Sequence, residues 1–267
     1  MLTAVFAAAR AELTKILTLR GTWLVTGAIL ALHLLISAAN LPQNTDAVAN
    51  ITPDGLIELF RGEPRPAHKA LVDFFVAGSF QMCLFLPVLA AVLAGQEFRA
   101  HQLGQSVLAV PRRGVLVAAK TAAVTAYLLL VSLVITGISA AFLYAAVKDW
   151  DPGTMTSGYA VSAQGRCLAF AVLSALIGYA VTLIARSTLI GIGVTVALLA
   201  VTMTQVAAMF MPALDALCPG SAGRNLLLDP ADNRLTAGPM HALVVTVLWP
   251  VATIGVAGLL LSRRDAR

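Results

Sequence analysis

The sequence predicts an all-α membrane protein: six transmembrane helices with an N-terminal amphipathic interfacial helix and a broken extracellular re-entrant segment. Composition is the first observation behind this. Of the 267 residues 59% are hydrophobic and only 12% are charged, where a soluble domain has about a quarter of its residues charged. Mean hydropathy is +0.86. The second observation is a recurrence of apolar runs near the length of about 20 residues that a membrane helix needs. The third is that Lys and Arg cluster beside those runs, which is how membrane topology is encoded. A net charge of +5 therefore speaks of orientation, and nucleic acid is discounted as a partner. The whole chain, 1–267, reads as a single transmembrane domain.

In chain order, Leu2, Val5, Phe6, Ala9, Leu13, Ile16 and Leu17 repeat every three to four residues, with Arg10, Glu12, Lys15 and Arg20 between them. Segment 1–20 is thus an amphipathic helix suited to the plane of the interface. A signal peptide is the competing reading, with an apolar run from Trp23 and a small-residue site at Ser37-Ala38-Ala39, but a periodic head of this length is long for a signal n-region. Spans are expected at Thr22–Ala39, Leu71–Ala94, Val115–Val147, Leu168–Ala185, Thr188–Met211 and Ala242–Ser262. The third is long, so its end with Lys120 should project beyond the hydrocarbon, or the helix should tilt. Pro87 and Pro250 should kink their helices.

With the N-terminus inside, eleven of the eighteen Lys and Arg residues fall on inner segments, and ten of the thirteen acids fall outside. Both termini are then cytoplasmic in a multi-pass protein of the cell membrane. Segment 96–113 (Gln96 to Arg113) is also cytoplasmic and carries Glu97, Arg99, His101, Arg112 and Arg113. Its apolar residues Phe98, Leu103, Val107, Leu108 and Val110 are spaced as one helix face until Pro111 ends the pattern. The outer segment Leu41–Ala70, with four prolines and the patch Leu56-Ile57-Leu59-Phe60, reads as an ordered cap. The outer segment 212–241 reads as two helical pieces broken at Pro219-Gly220, where Gly220 supplies a backbone angle that Ala disfavours.

Several chemistries lack their residues. A phosphate-binding loop needs Gly-x-x-x-x-Gly-Lys-Ser/Thr, and Ala119-Lys120-Thr121 lacks the Gly before Lys. His-Glu-x-x-His and Gly-x-Ser-x-Gly are absent, and the four histidines, His33, His68, His101 and His241, fall on different segments. No enzyme and no metal site is expected, and Cys83, Cys167 and Cys218 suit neither a disulfide framework nor zinc. His33, Gln81 and Gln205 lie within spans, where bonds to neighbouring helices explain them. Small residues at Gly137 to Ala141, Gly191, Gly193, Thr195, Gly255 and Gly258 should mark close helix approaches.

The order of these parts resembles the membrane subunit of type-2 ABC (ATP-binding-cassette) exporters. The resemblance rests on Glu12-Leu13-x-Lys15 and Arg20-Gly-Thr-Trp23 in the head, and on Gly95-x-Glu97-Phe98-Arg99 after the second span. Pro111-Arg112-Arg113 followed by Lys120, the broken outer segment, and Arg263-Arg264-Asp265 at the end complete it. His101-Gln102-Leu103 stands where the family often has Gly-Thr-Leu. The resemblance implies an elbow helix with Glu12, Lys15 and Arg20, and a coupling helix from 96–113 that seats on a separate ATPase subunit through Glu97, Phe98, Arg99, Arg112, Arg113 and Lys120. It also implies an extracellular gate with Pro219, Gly220 and Arg224, and a second permease copy, identical or related, in the bilayer. ATP and Mg would belong to the partner ATPase, with no cofactor in this chain. Substrates of that family include drugs, peptide antibiotics and lipid-like solutes. A stand-alone secondary transporter would show internal repeats and paired intramembrane acids; a non-transporting membrane scaffold would need no cavity.

Overall fold

The computed structural model describes residues 2–58, 63–98, 112–230 and 233–263. Arg61, Leu59 and Phe60, the stretch from Arg99 through Pro111 that holds most of the expected coupling helix, and Arg264, Asp265 and Arg267 lie outside these.

The periodic head forms helix α1 (Leu2–Thr18), which packs along the first half of a later helix through Leu13 and Ile16. Leu19 turns extended with ψ 118° and ends it. Trp23 Nε1 donates to Leu17 O at 2.7 Å across this corner, and α2 (Arg20–Ala49) follows at once. It continues beyond the expected end at Ala39, through Pro42. A two-stranded antiparallel ribbon, β1 (Leu56–Ile57) and β2 (Arg65–Pro66), forms part of the expected cap and buries Ile57.

The second span comes in two pieces, α3 (Ala67–Cys83) and α4 (Leu86–Gln96). The chain breaks at Leu84–Phe85, so Pro87 stands in the first turn of α4, where its missing N–H leaves no helical bond unmade. Then follow α5 (Arg113–Val147), a short 3-10 turn at Pro152–Thr156, α6 (Gly158–Ala185) and α7 (Thr188–Thr204). Ser157 and Ser187 cap α6 and α7 by accepting from Ala160 N at 3.2 Å and Ile190 N at 3.4 Å. After α7 come α8 (Val206–Phe210), α9 (Pro212–Asp215), α10 (Pro219–Leu227) and α11 (Pro239–Arg263), which runs uninterrupted through Pro250.

Among the described residues, five helical units are long and apolar enough to cross a membrane: Arg20–Ala49, Ala67–Gln96, Arg113–Val147, Gly158–Ala185 and Pro239–Leu261. The protein is therefore an α-helical, membrane-embedded chain. The expected fifth span, Thr188–Met211, departs from this pattern. Its helix α7 has 17 residues, about 25 Å at 1.5 Å per residue, and stops where Gln205 enters the left-handed region at φ 52°.

Helix α6 is the centre of the packing, touched by α3, α4, α5, α7, α10 and α11. Alanines and glycines let these helices close on it. A Cβ on Gly178 would stand 2.4 Å from Pro87 O, and one on Gly191 would stand 1.9 Å from Thr182 Oγ1. Gly137, Gly193 and Gly255, expected at such contacts, have open space there instead. Cys83 and Cys167 are free and buried across the α3–α6 contact, with sulfurs 3.8 Å apart.

Because backbone cannot yield as a side chain can, Gly178→Ala should destabilise the purified protein by about 1–3 kcal/mol. Gly137→Ala should be neutral or gain about 0.5–1 kcal/mol from helix propensity. Thermal unfolding of both variants in detergent checks the contrast, and equal melting would refute the close contact.

Candidate functional site

Two turns into α5, Lys120 is an ammonium with almost no access to solvent, at 5% exposure. A buried charge survives only when paired and bonded, and two helices supply the partners. Lys120 Nζ lies 2.8 Å from Glu12 Oε2 of α1 and 2.7 Å from Glu97 Oε1 at the end of α4. Lys15 Nζ, at the rim, holds the other Glu12 oxygen at 2.8 Å. Two acids and two bases balance, and Tyr179 of α6 lies buried within electrostatic reach of both carboxylates. Burial by itself would raise the Glu12 carboxyl, but the Lys120 and Lys15 ammonium groups hold it below its ordinary value.

This cluster joins residues that the resemblance assigns to two separate parts: Glu12 and Lys15 to the elbow, Glu97 and Lys120 to the coupling segment. Lys120, expected at an end of α5 that projects beyond the hydrocarbon or on a tilted helix, is covered by α1. Glu97 is bound by Lys120, and Arg112 is exposed. Arg113 donates from Nη1 to Leu261 O at 2.6 Å, placing a cation at the C-terminal end of α11, where the helix dipole favours it. Phe98 packs against the core from a half-buried position, and Arg20 is exposed at the start of α2. Arg99 lies outside the described residues.

A second buried ionic cluster holds the 212–241 segment. Asp215, fully buried, accepts from Ser221 Oγ at 2.7 Å, from Thr236 Oγ1 at 2.8 Å and from Arg224 Nη2. Asn225 bonds Thr236 in turn, its Oδ1 accepting from Thr236 N at 3.2 Å. Arg224 was visible in the sequence, whereas Asp215 was not singled out. The acid nine positions before a lone Arg in an apolar segment was the available signal. Pro219 and Gly220 open α10 instead of separating two pieces, the break falling at Ala216–Cys218. The constraint on Gly220 is space, since a Cβ there would stand 2.2 Å from Thr202 Oγ1.

His33, Gln81 and Gln205 meet on the wall of one cavity of about 320 Å³. His33 Nε2 lies 3.1 Å from Ile135 O and 3.0 Å from Ser139 Oγ, a bond from α2 to α5. Among the described residues no group of three or more His, Cys, Asp and Glu could hold a metal ion.

Lys120→Met should destabilise the protein by about 3–5 kcal/mol, because it strands the buried Glu97 carboxylate and leaves Glu12 with Lys15 alone. Adding Glu12→Gln and Glu97→Gln should recover most of that loss in the same unfolding assay. The acid limb follows from the lowered Glu12 carboxyl. Its contribution is fully present above the ordinary value of 4.5 and is lost as pH falls through the lower folded value. Melting profiles from pH 7 to pH 3 should show that loss in the native protein and a flatter limb in Glu12→Gln.

No protein-family model matches the chain, and no curated protein matches it.

Proposed function

We propose that the chain is the membrane subunit of a type-2 ABC exporter, working as a dimer in the cell membrane with separate cytoplasmic ATPase subunits. On this reading both termini are cytoplasmic, α1 is the elbow helix, α7 with α8 is the fifth of six spans, and α9 with α10 is the re-entrant gate. The solute is amphipathic, of the drug, peptide-antibiotic or lipid-like kind.

The observation that supports it best is the Glu12–Lys120–Glu97 cluster. The 97–112 stretch leaves from the end of α4 and returns into α5, so Glu97 and Lys120 stand near its two roots. Their ion pair ties those roots together, and Glu12 fastens α1 to the same point. A rigid displacement delivered to that stretch by a partner would then move α1, α4 and α5 as one body. A scaffold that merely recruits a partner needs no such tie between three helices.

Glu97→Ala tests the coupling without stripping Lys120, which keeps Glu12. The variant should insert, co-purify with its ATPase and hydrolyse ATP, while ATP-dependent transport in vesicles falls roughly tenfold or more, the scale of a 1–3 kcal/mol coupling. Exposed Arg112, changed to Glu, should instead weaken ATPase association. Normal transport by Glu97→Ala would sink the coupling role. For topology, a cysteine at Asp54 should label from outside and one at Gln105 should not; the reverse would overturn the assigned orientation.

A further inference from the structure

The cavity on which His33, Gln81 and Gln205 meet lies between α2, α3, α7 and the segment around α10. Its volume of about 320 Å³ falls at the lower end of small-molecule sites, which run from about 300 to 1,000 Å³. One part of the wall is apolar, with Phe74, Phe75, Phe80 and Leu228; another carries Asn44, Gln81, Gln205 and Arg224. Arg224 is 2% exposed, and only its Nη2 is used, on Asp215. Its Nε and Nη1 are buried without a hydrogen-bond partner.

An unused buried donor costs about 1–3 kcal/mol, and more on a charged group. A guanidinium can only donate, so the complement it lacks is an acceptor. Asp215 sits behind Arg224 and not on the wall, and no carboxylate among the described residues lines the cavity. The ionisable side chains on the wall are Arg224 and His33. An anionic oxygen entering here approaches a cation whose spare donors lie just beneath the cavity wall, whereas an ammonium approaches that cation with no acid on the wall to hold it.

We propose that this cavity is a binding site for a small amphipathic molecule, its anionic oxygen head on Arg224 and its aromatic or short aliphatic body against Phe74, Phe75 and Phe80. Binding belongs to this chain alone and stands whether or not an ATPase couples to it. The head group is shared by two sources, a free carboxylate solute and an anionic lipid of the bilayer.

The full chain in phosphatidylcholine nanodiscs, titrated with 4-(trifluoromethyl)benzoate and read by fluorine NMR without nucleotide, tests it. The probe should show a saturable bound signal, and 4-(trifluoromethyl)benzylamine should show only unsaturable partition. Arg224→Lys keeps a cation for Asp215 but loses Nε and Nη1, and should weaken the probe roughly tenfold or more. Gly78→Phe leaves Arg224 untouched. A Cβ at Gly78 meets nothing within 4 Å, so the ring has room to fill the cavity from α3 and should abolish binding. Displacement by phosphatidylglycerol in the disc assigns the site to a lipid head, and displacement by octanoate alone assigns it to a free solute; both uphold the site. Equal binding by Gly78→Phe and the native chain, equal affinity for the amine, or displacement by neither competitor overturns it.

Discussion

A buried ammonium dictates the arrangement of every helix that touches it, and Lys120 is that constraint here. Removing it from water costs several kcal/mol even after relaxation, and the only return is from carboxylates placed within hydrogen-bond reach. Glu12 and Glu97 lie 108 and 23 positions away in sequence, at 2.8 Å and 2.7 Å in space. For both to arrive, α1 must lie along α5 with its Glu12 face inward and α4 must end where Glu97 can reach across. The extended Leu19 and the Trp23 bond to Leu17 O make the corner that allows this. The exposed Phe6 and Leu17 on the remaining surface of α1 are the counterpart of turning an acid inward.

The cluster around Asp215 obeys the same rule with a different balance. There the carboxylate is the saturated partner, accepting from Ser221, Thr236 and Arg224, while the guanidinium keeps two unused nitrogens. Around Lys120 the ammonium and Glu12 are satisfied, and the residual unpaired atom is Glu97 Oε2. A cluster whose bonds run between helices fastens them; one with spare donors beside a cavity has capacity left for a ligand. The two clusters thus do different physical work despite similar burial.

Membrane spans were legible because hydropathy reads directly from composition, and four long spans plus the split second one lie where the apolar runs put them. The shorter fifth helix was not legible. Its apolar run continues to Met211, and the break depends on the backbone of Gln205, a left-handed conformation that no hydropathy window registers. The head's periodicity correctly gave a helix but put Glu12 on its wet side, because periodicity knows nothing of a lysine 108 residues later. The motifs of the family resemblance named Glu12, Lys15, Glu97 and Lys120 as residues of interest without revealing that they meet. Gly220 was legible as special, but the reason lay in Thr202 on another helix and not in its own backbone. In each case local physics named the residue and a distant partner decided its role.

The same distances determine which parts of the fold move as one. Helix α4 is clamped near both ends: Pro87 presses its carbonyl to Gly178 of α6, and Gly95 leaves no room for a Cβ beside Thr188 of α7. Glu97 adds the tie to α5 through Lys120. Such contacts do not slide, since packed interiors resist small continuous displacement. The break at Leu84–Phe85, with helix on either side, is the softer joint. Beyond it lies α3, whose Phe74, Phe75 and Phe80 form the apolar wall of the cavity beside Arg224. A force applied at the Glu97 end would therefore be carried through α4 with α6 and α7 as a rigid unit and released at that joint. The cavity lies where α3 and the end of α7 face each other across it. Helix α3 also packs directly on α6 through Cys83 against Cys167 and Phe80 against Phe170, so a bend at that joint changes the cavity's width only as that contact yields.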